Sequence, residues 1–174
     1  CYNRQNGILA TFDFKGNHYV WDTKNDFNNI EIPESLNQMR PKYIADNGDV
    51  YFDGQGKIVT WNYKTYAVKQ SKANGKIANV DEEKNLLLIG GKEFVFYDQK
   101  NDSTYFKKKH PNWPIHLPGK DSIVNVPLHL EIISGLMTKK SIYTYGLDKS
   151  IRKWDKLSGN LIKTYTNHTG TPSG

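Results

Sequence analysis

An aromatic residue followed by Asp or Asn ends a short apolar run at four places; the first three lie about 40 residues apart and the fourth lies 57 residues after the third. These strand-ending pairs are Trp21-Asp22, Trp61-Asn62, Tyr97-Asp98 and Trp154-Asp155. Recurrence at this length is typical of chains built from small repeated antiparallel sheets, because one such unit cannot bury its own apolar faces. The chain is therefore expected to be a repeat protein.

Each repeat is predicted to hold up to four short antiparallel strands, separated by turns rich in Gly, Asn and Asp. The second strand of a unit is the most continuously apolar, as in Leu86–Ile89, which is expected where both faces of a sheet are covered. We predict an all-β fold: a β-propeller of about four four-stranded blades in a single region, 1–174. The blades are predicted at 1–34, 40–70, 75–109 and 126–170, with an insertion at 107–126.

Two units depart from this pattern. The first has no clear opening strand, since only Cys1–Asn6 precedes the apolar run that begins at Ile8. The third has no tryptophan, and Tyr97 stands in the corresponding place. We therefore expect the repeats to share the order of their strands, whereas the residues at equivalent positions differ.

Composition narrows the class of protein further. The net charge of +6 favours phosphates or acidic partners, but the basic residues are scattered and only Lys107-Lys108-Lys109 forms a run. Nucleic-acid binders concentrate their charge on one face, so a nucleic-acid partner is the less favoured alternative. Cys1 is the one cysteine, which excludes an internal disulfide and any cysteine-cluster metal site. No apolar stretch is long enough to span a bilayer, so we expect a soluble cytoplasmic protein; a lipoprotein anchored through Cys1 is the alternative.

The fourth unit resembles the WD40-repeat family. Its residues Asp148, Ile151, Trp154-Asp155 and Ser158-Gly159 follow the turn and third strand of that repeat, and His168-Thr169-Gly170 is similar to the opening of a further one. The resemblance implies a β-propeller that holds partner proteins on its rims. Propellers of this family usually have more than four blades. We therefore expect part of a larger propeller, completed by further sequence, a second chain or a second copy.

The resemblance also implies a buried polar network, in which a turn Asp, an opening His, a strand hydroxyl and the Trp indole are joined. Asp148, His129 and Trp154 are the candidates for three of these positions, and Gly146 stands where the hydroxyl is expected, so the network is predicted to be incomplete. The residues assigned to the repeat signature as a whole are Asp13, Trp21, Asp22, Asp53, Trp61, Asp98, His129, Asp148, Trp154 and Asp155.

A second resemblance is to the hemopexin repeat. The segment from Ala10 to Asp22 is similar to its strand, turn and strand, and four such repeats form a closed four-bladed propeller of about this length. The chain lacks the family's Asp-Ala strand openings and its cysteine pair. A closed four-bladed binding domain is therefore kept as the alternative architecture.

No catalytic motif is present in the sequence. There is no nucleophile elbow, phosphate-binding glycine loop or zinc-binding helix, and His110, His116 and His129 match no zinc spacing. We expect a protein that is not an enzyme and needs no metal or cofactor. The expected function is that of a scaffold mediating protein–protein interactions within a larger assembly.

The proline-rich insertion is the candidate partner-binding feature. Its prolines restrict the backbone, so that Trp113 could serve as an interface anchor; the alternative is that Trp113 folds down over the blade edges. The residues predicted to contact a partner are Lys107, Lys108, Lys109 and Trp113, followed by Arg152 and Lys153.

Overall fold

The structure, a computed structural model, describes residues 1–110, 113–116, 123–126, 132–146 and 148–166. The described residues are almost entirely β-strand and turn, with a single 3-10 turn at Glu34–Leu36. No helix within these ranges has the length and apolarity needed to cross a bilayer.

Four antiparallel sheets of four strands each follow one another along the chain. The first sheet contains β1 (Tyr2–Asn3), β2 (Ile8–Phe12), β3 (His18–Asp22) and β4 (Asn28–Ile30). The second contains β5 (Arg40–Ile44), β6 (Asp49–Gly54), β7 (Lys57–Asn62) and β8 (Val68–Gln70). The third contains β9 (Lys76–Asp81), β10 (Leu86–Gly90), β11 (Phe94–Asp98) and β12 (Ser103–Lys108).

A two-stranded hairpin separates the third and fourth sheets. It pairs β13 (Trp113–His116) with β14 (Ile123–Val126), so that Trp113 lies opposite Val126. The fourth sheet then contains β15 (Ile132–Met137), β16 (Ser141–Gly146), β17 (Ile151–Asp155) and β18 (Leu161–Tyr165). In all four sheets the strands are ordered as in the sequence, because each joins its neighbour through a short turn.

The predicted all-β architecture of four four-stranded sheets is confirmed, with two corrections. The first sheet does have an opening strand: Tyr2 and Asn3 of β1 pair with Leu9 and Ile8. No strand was predicted in the insertion at 107–126, but the antiparallel pairing of Trp113–His116 with Ile123–Val126 makes part of it a hairpin. A strand of two residues carries too little periodicity to be detected in the sequence.

The Asp or Asn of each strand-ending pair closes the turn that follows it. The side-chain oxygen accepts a hydrogen bond from a backbone N–H two or three residues later, as with Asp155 Oδ1 and Ser158 N (2.8 Å). The same bond is made by Asp22 to Lys24 N, by Asn62 to Lys64 N and by Asp98 to Asn101 N. Four positions after this residue the backbone is left-handed, at Asp26, Tyr66, Asp102 and Gly159. The recurring sequence pair thus marks one recurring turn.

The two faces of each sheet follow from the alternation of strand residues. We call the face that carries Trp21, Trp61, Tyr97 or Trp154 the front face of its sheet, and the opposite face the back face. On the front face the residue directly opposite the aromatic ring comes from the second strand. These cross-strand pairs are Leu9 with Trp21, Val50 with Trp61, Leu87 with Tyr97 and Ile142 with Trp154.

Three apolar cores lie between successive sheets. In each, the front face of the later sheet packs on the back face of the earlier one, and the strand-ending aromatic residue is at the interface. Trp61 packs with Ile8, Ala10 and Val20 of the first sheet, and the other two cores repeat this arrangement. The second strands β6 and β10 are accordingly buried on both sides, completely so in β10, whereas the last strands β8 and β18 are exposed. In these two sheets this confirms the prediction that both faces of the second strand are covered.

Close approach between the third and fourth sheets requires glycine. A Cβ at Gly90 would lie 2.6 Å from the Ile132 carbonyl oxygen, and one at Gly135 would lie 2.4 Å from Leu88 Cδ2. Side chains at these positions would push the two sheets apart. The described residues of the first and fourth sheets share no apolar core, so the closed four-bladed arrangement has no support from the packing.

Candidate functional site

A chain of buried polar groups lies on the front face of the fourth sheet. Trp154 Nε1 donates a hydrogen bond to Thr144 Oγ1 (2.8 Å), and His110 Nε2 lies at the same distance from that oxygen. The other ring nitrogen, His110 Nδ1, lies 2.7 Å from Arg152 Nη1. The second guanidinium nitrogen of Arg152 donates to Asp148 Oδ2. The network therefore runs from an indole, through a hydroxyl and an imidazole, to a buried ion pair.

The arrangement fixes the protonation state of His110. A guanidinium can only donate, so His110 Nδ1 must accept from Arg152 and the ring proton must lie on Nε2, which donates to Thr144. Protonation of Nδ1 would set an N–H against the Arg152 N–H. Burial, together with the charge of Arg152, lowers the pKa of His110 from 6.5 to about 4.

Arg152 and Asp148 form an ion pair within the same network, so that each buried charge is balanced by the other. Their side chains are 6% and 4% exposed. Although burial acts to raise the pKa of Asp148, hydrogen bonds from Arg152 and Ser150 outweigh it and lower that pKa below its ordinary value. Arg152 was predicted to contact a partner. The structure instead buries its side chain and uses it to join Asp148 to His110, which corrects that prediction.

Two further expectations about this network are corrected. The hydroxyl is supplied by Thr144, two residues before Gly146, and the histidine by His110, two residues after the end of β12. Gly146 has a different role, since a Cβ there would lie 2.9 Å from both His110 Nδ1 and Asp148 Oδ1. His129, the residue predicted for this position, lies outside the described residues.

The second sheet lacks the hydroxyl needed for the same network. In the second sheet the position of Thr144 is taken by Phe52, whose ring centroid lies 6.5 Å from that of Trp61. Trp61 Nε1 is buried and makes no hydrogen bond to any residue that the structure describes. Of the remaining signature residues, Asp13 closes its own hairpin turn by accepting from Lys15 N and Asn17 N.

Asp53 has a separate role at one end of the interface between the second and third sheets. It is buried and accepts a hydrogen bond from Ile77 N of the third sheet (2.8 Å), and Lys42 Nζ lies 3.7 Å from the same carboxylate oxygen. Burial raises the pKa of Asp53, while the bond from Ile77 and the charges of Lys42 and Arg40 oppose the rise. Asp53 therefore ties two sheets together beside a group of cations.

Those cations line an open cleft of about 520 Å³ between the second and third sheets. Arg40 and Lys42 come from β5, and Lys76 comes from the start of β9. Much of the remaining wall is glycine, so few side chains obstruct the opening; the lining glycines are Gly54, Gly56, Gly75, Gly90 and Gly91. Of the lining residues that the structure describes, three are cations and one is a carboxylate, which makes this part of the cleft basic. The three cations are too far apart in sequence to form a charge run.

The lysines predicted for partner binding lie along the outer edge of the third sheet. Lys107 on β12 and Lys109 just after it are exposed, and Lys109 Nζ lies 3.6 Å from Glu93 Oε1. Lys108 is half-buried, with its stem against Gly159 of the fourth sheet. Trp113 begins the hairpin, at its pair with Val126. Lys153 lies apart from these residues on the back face of the fourth sheet, with Nζ 5.9 Å from the Tyr143 ring centroid.

Within the described ranges, no group of three or more His, Cys, Asp or Glu side chains is placed to hold a metal ion. In comparisons with known proteins, no family model matches the sequence, and no curated protein is significantly similar to it.

Proposed function

We propose that the chain is a non-catalytic module of the WD40 propeller type that binds acidic segments of partner proteins. The observation that carries the proposal is the basic cleft between the second and third sheets, in which Arg40, Lys42 and Lys76 surround an opening walled by glycine. Such a cleft suits an extended peptide with carboxylate side chains, because glycine lets the peptide backbone approach and the cations attract its charge.

Two features support the propeller part of the proposal. The strand-ending aromatic residue repeats the same packing at three interfaces, as expected of blades that stack on one another. In the fourth sheet, Trp154, Thr144, His110 and Asp148 match the four kinds of group that the WD40 resemblance implies, with Arg152 inserted between the last two. A buried hydrogen-bonded network of this kind stiffens a frame on which surface residues are held in place.

The test is binding of a fluorescein-labelled Glu-rich peptide, followed by fluorescence anisotropy. The variant Arg40→Gln/Lys76→Gln is expected to bind about tenfold more weakly or worse, since it removes two of the three cations of the cleft. The matched control is Lys107→Gln/Lys109→Gln, which removes the same charge from the edge of the third sheet. Far-UV circular dichroism verifies that both variants are folded.

Each result has a defined meaning. Loss of binding in the cleft variant alone supports the proposal. Loss in the control alone would move the binding surface to Lys107 and Lys109, and no binding by the unmodified chain would contradict the acidic-partner function. A labelled single-stranded oligonucleotide tests the alternative partner: binding tighter than that of the peptide, with a steep dependence on salt, would favour nucleic acid.

A further inference from the structure

The front face of the first sheet is half of an interface that the chain builds three times. In the first sheet Leu9 lies opposite Trp21, at the same register position at which Val50 lies opposite Trp61 in the second sheet. In the later sheets both members of such a pair are buried against the preceding sheet. In the first sheet Leu9 and Trp21 are only half-buried and Tyr19 is 39% exposed. Among the residues that the structure describes, no sheet packs on this face as the earlier sheets pack on its counterparts.

The back face of the fourth sheet is the other half of the same interface. Its central pair, Tyr143 opposite Lys153, corresponds in register to Ala10 opposite Val20 and to Leu88 opposite Phe96. Ala10, Val20, Leu88 and Phe96 are all buried by the sheet that follows. Tyr143 and Lys153 are only half-buried, and Leu136 beside them is 55% exposed, although Tyr145 on the same face is buried.

The two free faces also match in chemistry. On the first sheet the rings of Tyr19 and Trp21 lie side by side on the front face, with their centroids 5.8 Å apart. On the fourth sheet Lys153 already lies over an aromatic ring, that of Tyr143. A lysine ammonium and an aromatic face attract each other. Packing one free face on the other would place Lys153 close to the aromatic pair of the first sheet.

We propose that two copies of this chain associate head to tail, with the front face of the first sheet of each copy packed on the back face of the fourth sheet of the other. Within one molecule the described residues of the two faces share no apolar core, so these residues do not cover each other. Every copy carries both halves of the interface, and two such contacts close a symmetric pair. This inference uses the sheet faces alone, and the cleft residues Arg40 and Lys76 form part of neither half of the contact.

The test is the mass of the chain in solution, measured by sedimentation equilibrium over a wide concentration range. The unmodified chain is expected at twice its mass of 20.0 kDa. Tyr19→Glu places a charge on the free front face, and Lys153→Glu inverts the charge on the free back face; each is expected to yield monomers. Phe14→Glu is the control, because Phe14 is fully exposed in the turn between β2 and β3 and should leave the dimer intact.

Mixing the two face variants distinguishes a head-to-tail contact from a symmetric patch. A heterodimer of Tyr19→Glu with Lys153→Glu retains one unaltered contact, so the mixture is expected to regain dimers. Thermal unfolding followed by circular dichroism verifies that each variant is folded. The proposal is overturned by a chain that stays monomeric at every concentration, which would assign the faces to another sheet or protein. The proposal is also overturned if neither Tyr19→Glu nor Lys153→Glu weakens the dimer, or if mixing the two variants does not restore dimers.

Discussion

At the scale of single residues, Thr144 joins two buried rings through one oxygen atom. Its Oγ1 accepts from Trp154 Nε1 and His110 Nε2. Replacing Thr144 with valine keeps the shape but leaves both donors without an acceptor, so the free energy of unfolding should fall by about 2–3 kcal/mol. Urea denaturation measures the change. Thr144→Ser should restore most of it, and Thr104→Val, at an exposed position of β12, should change little.

His110 makes stability depend on pH. Its pKa is about 4 in the folded protein and near 6.5 in the unfolded chain, so the unfolded state takes up the proton first as the pH falls. Its contribution to stability is therefore complete above about pH 6.5 and is lost as the pH falls toward about 4. The groups that face it, Arg152 and Asp148, remain charged over most of this range.

The measurement is the free energy of unfolding between about pH 7 and about pH 4.5. The decline should be shallower in His110→Gln than in the unmodified chain. Burial also lowers the pKa of His18, so His18→Gln is the necessary comparison. An equal decline in the unmodified chain and in His110→Gln would show that His110 does not titrate in this way.

At the scale of strands and sheets, Lys156 and Asp81 link the fourth sheet to the third. Lys156 follows β17 and is buried; its Nζ lies 2.7 Å from Asp81 Oδ2 at the end of β9 and also donates to the Thr138 carbonyl oxygen. Lys156→Met should lower the free energy of unfolding by about 1–3 kcal/mol, because it leaves Asp81 beside an apolar side chain. The exposed pair of Lys109 with Glu93 is the control, and Lys109→Met should cost less than about 0.5 kcal/mol. Similar losses in both variants would contradict this account.

The strands could be predicted from the sequence more fully than the contacts between sheets. The bounds of β2 and β3 agree with the apolar runs and the Gly-Asn turn, because both signals act within a few residues. Thr144 and His110 are 34 residues apart, and Lys156 and Asp81 are 75 apart. Such partners meet only through the stacking of sheets, which no local pattern encodes. The sequence signal that points to the hydroxyl of the network is Thr144, which lies on the second strand of its sheet and on the same face as Trp154.

At the scale of the whole molecule, the described residues of each sheet pack only on the neighbouring sheets. Stability in such arrays is shared between adjacent units, so the ends are expected to open more readily than the middle. Hydrogen exchange measured at low concentration should be slowest in β6 and β10, whose residues are buried on both faces. It should be fastest in β18, which is exposed throughout. Uniform protection across all four sheets would indicate a cooperative closed structure instead.

The placement of the tryptophans gives these interfaces an optical readout. Trp61 lies between the first and second sheets, Trp154 lies between the third and fourth, and Trp21 lies on the uncovered front face. Indole emission shifts to longer wavelength when water reaches the ring. Variants that retain one tryptophan and carry phenylalanine at the others would therefore report the separation of one chosen pair of sheets. The interface between the second and third sheets, where Tyr97 takes the place of the tryptophan, would give no indole emission in the same experiment.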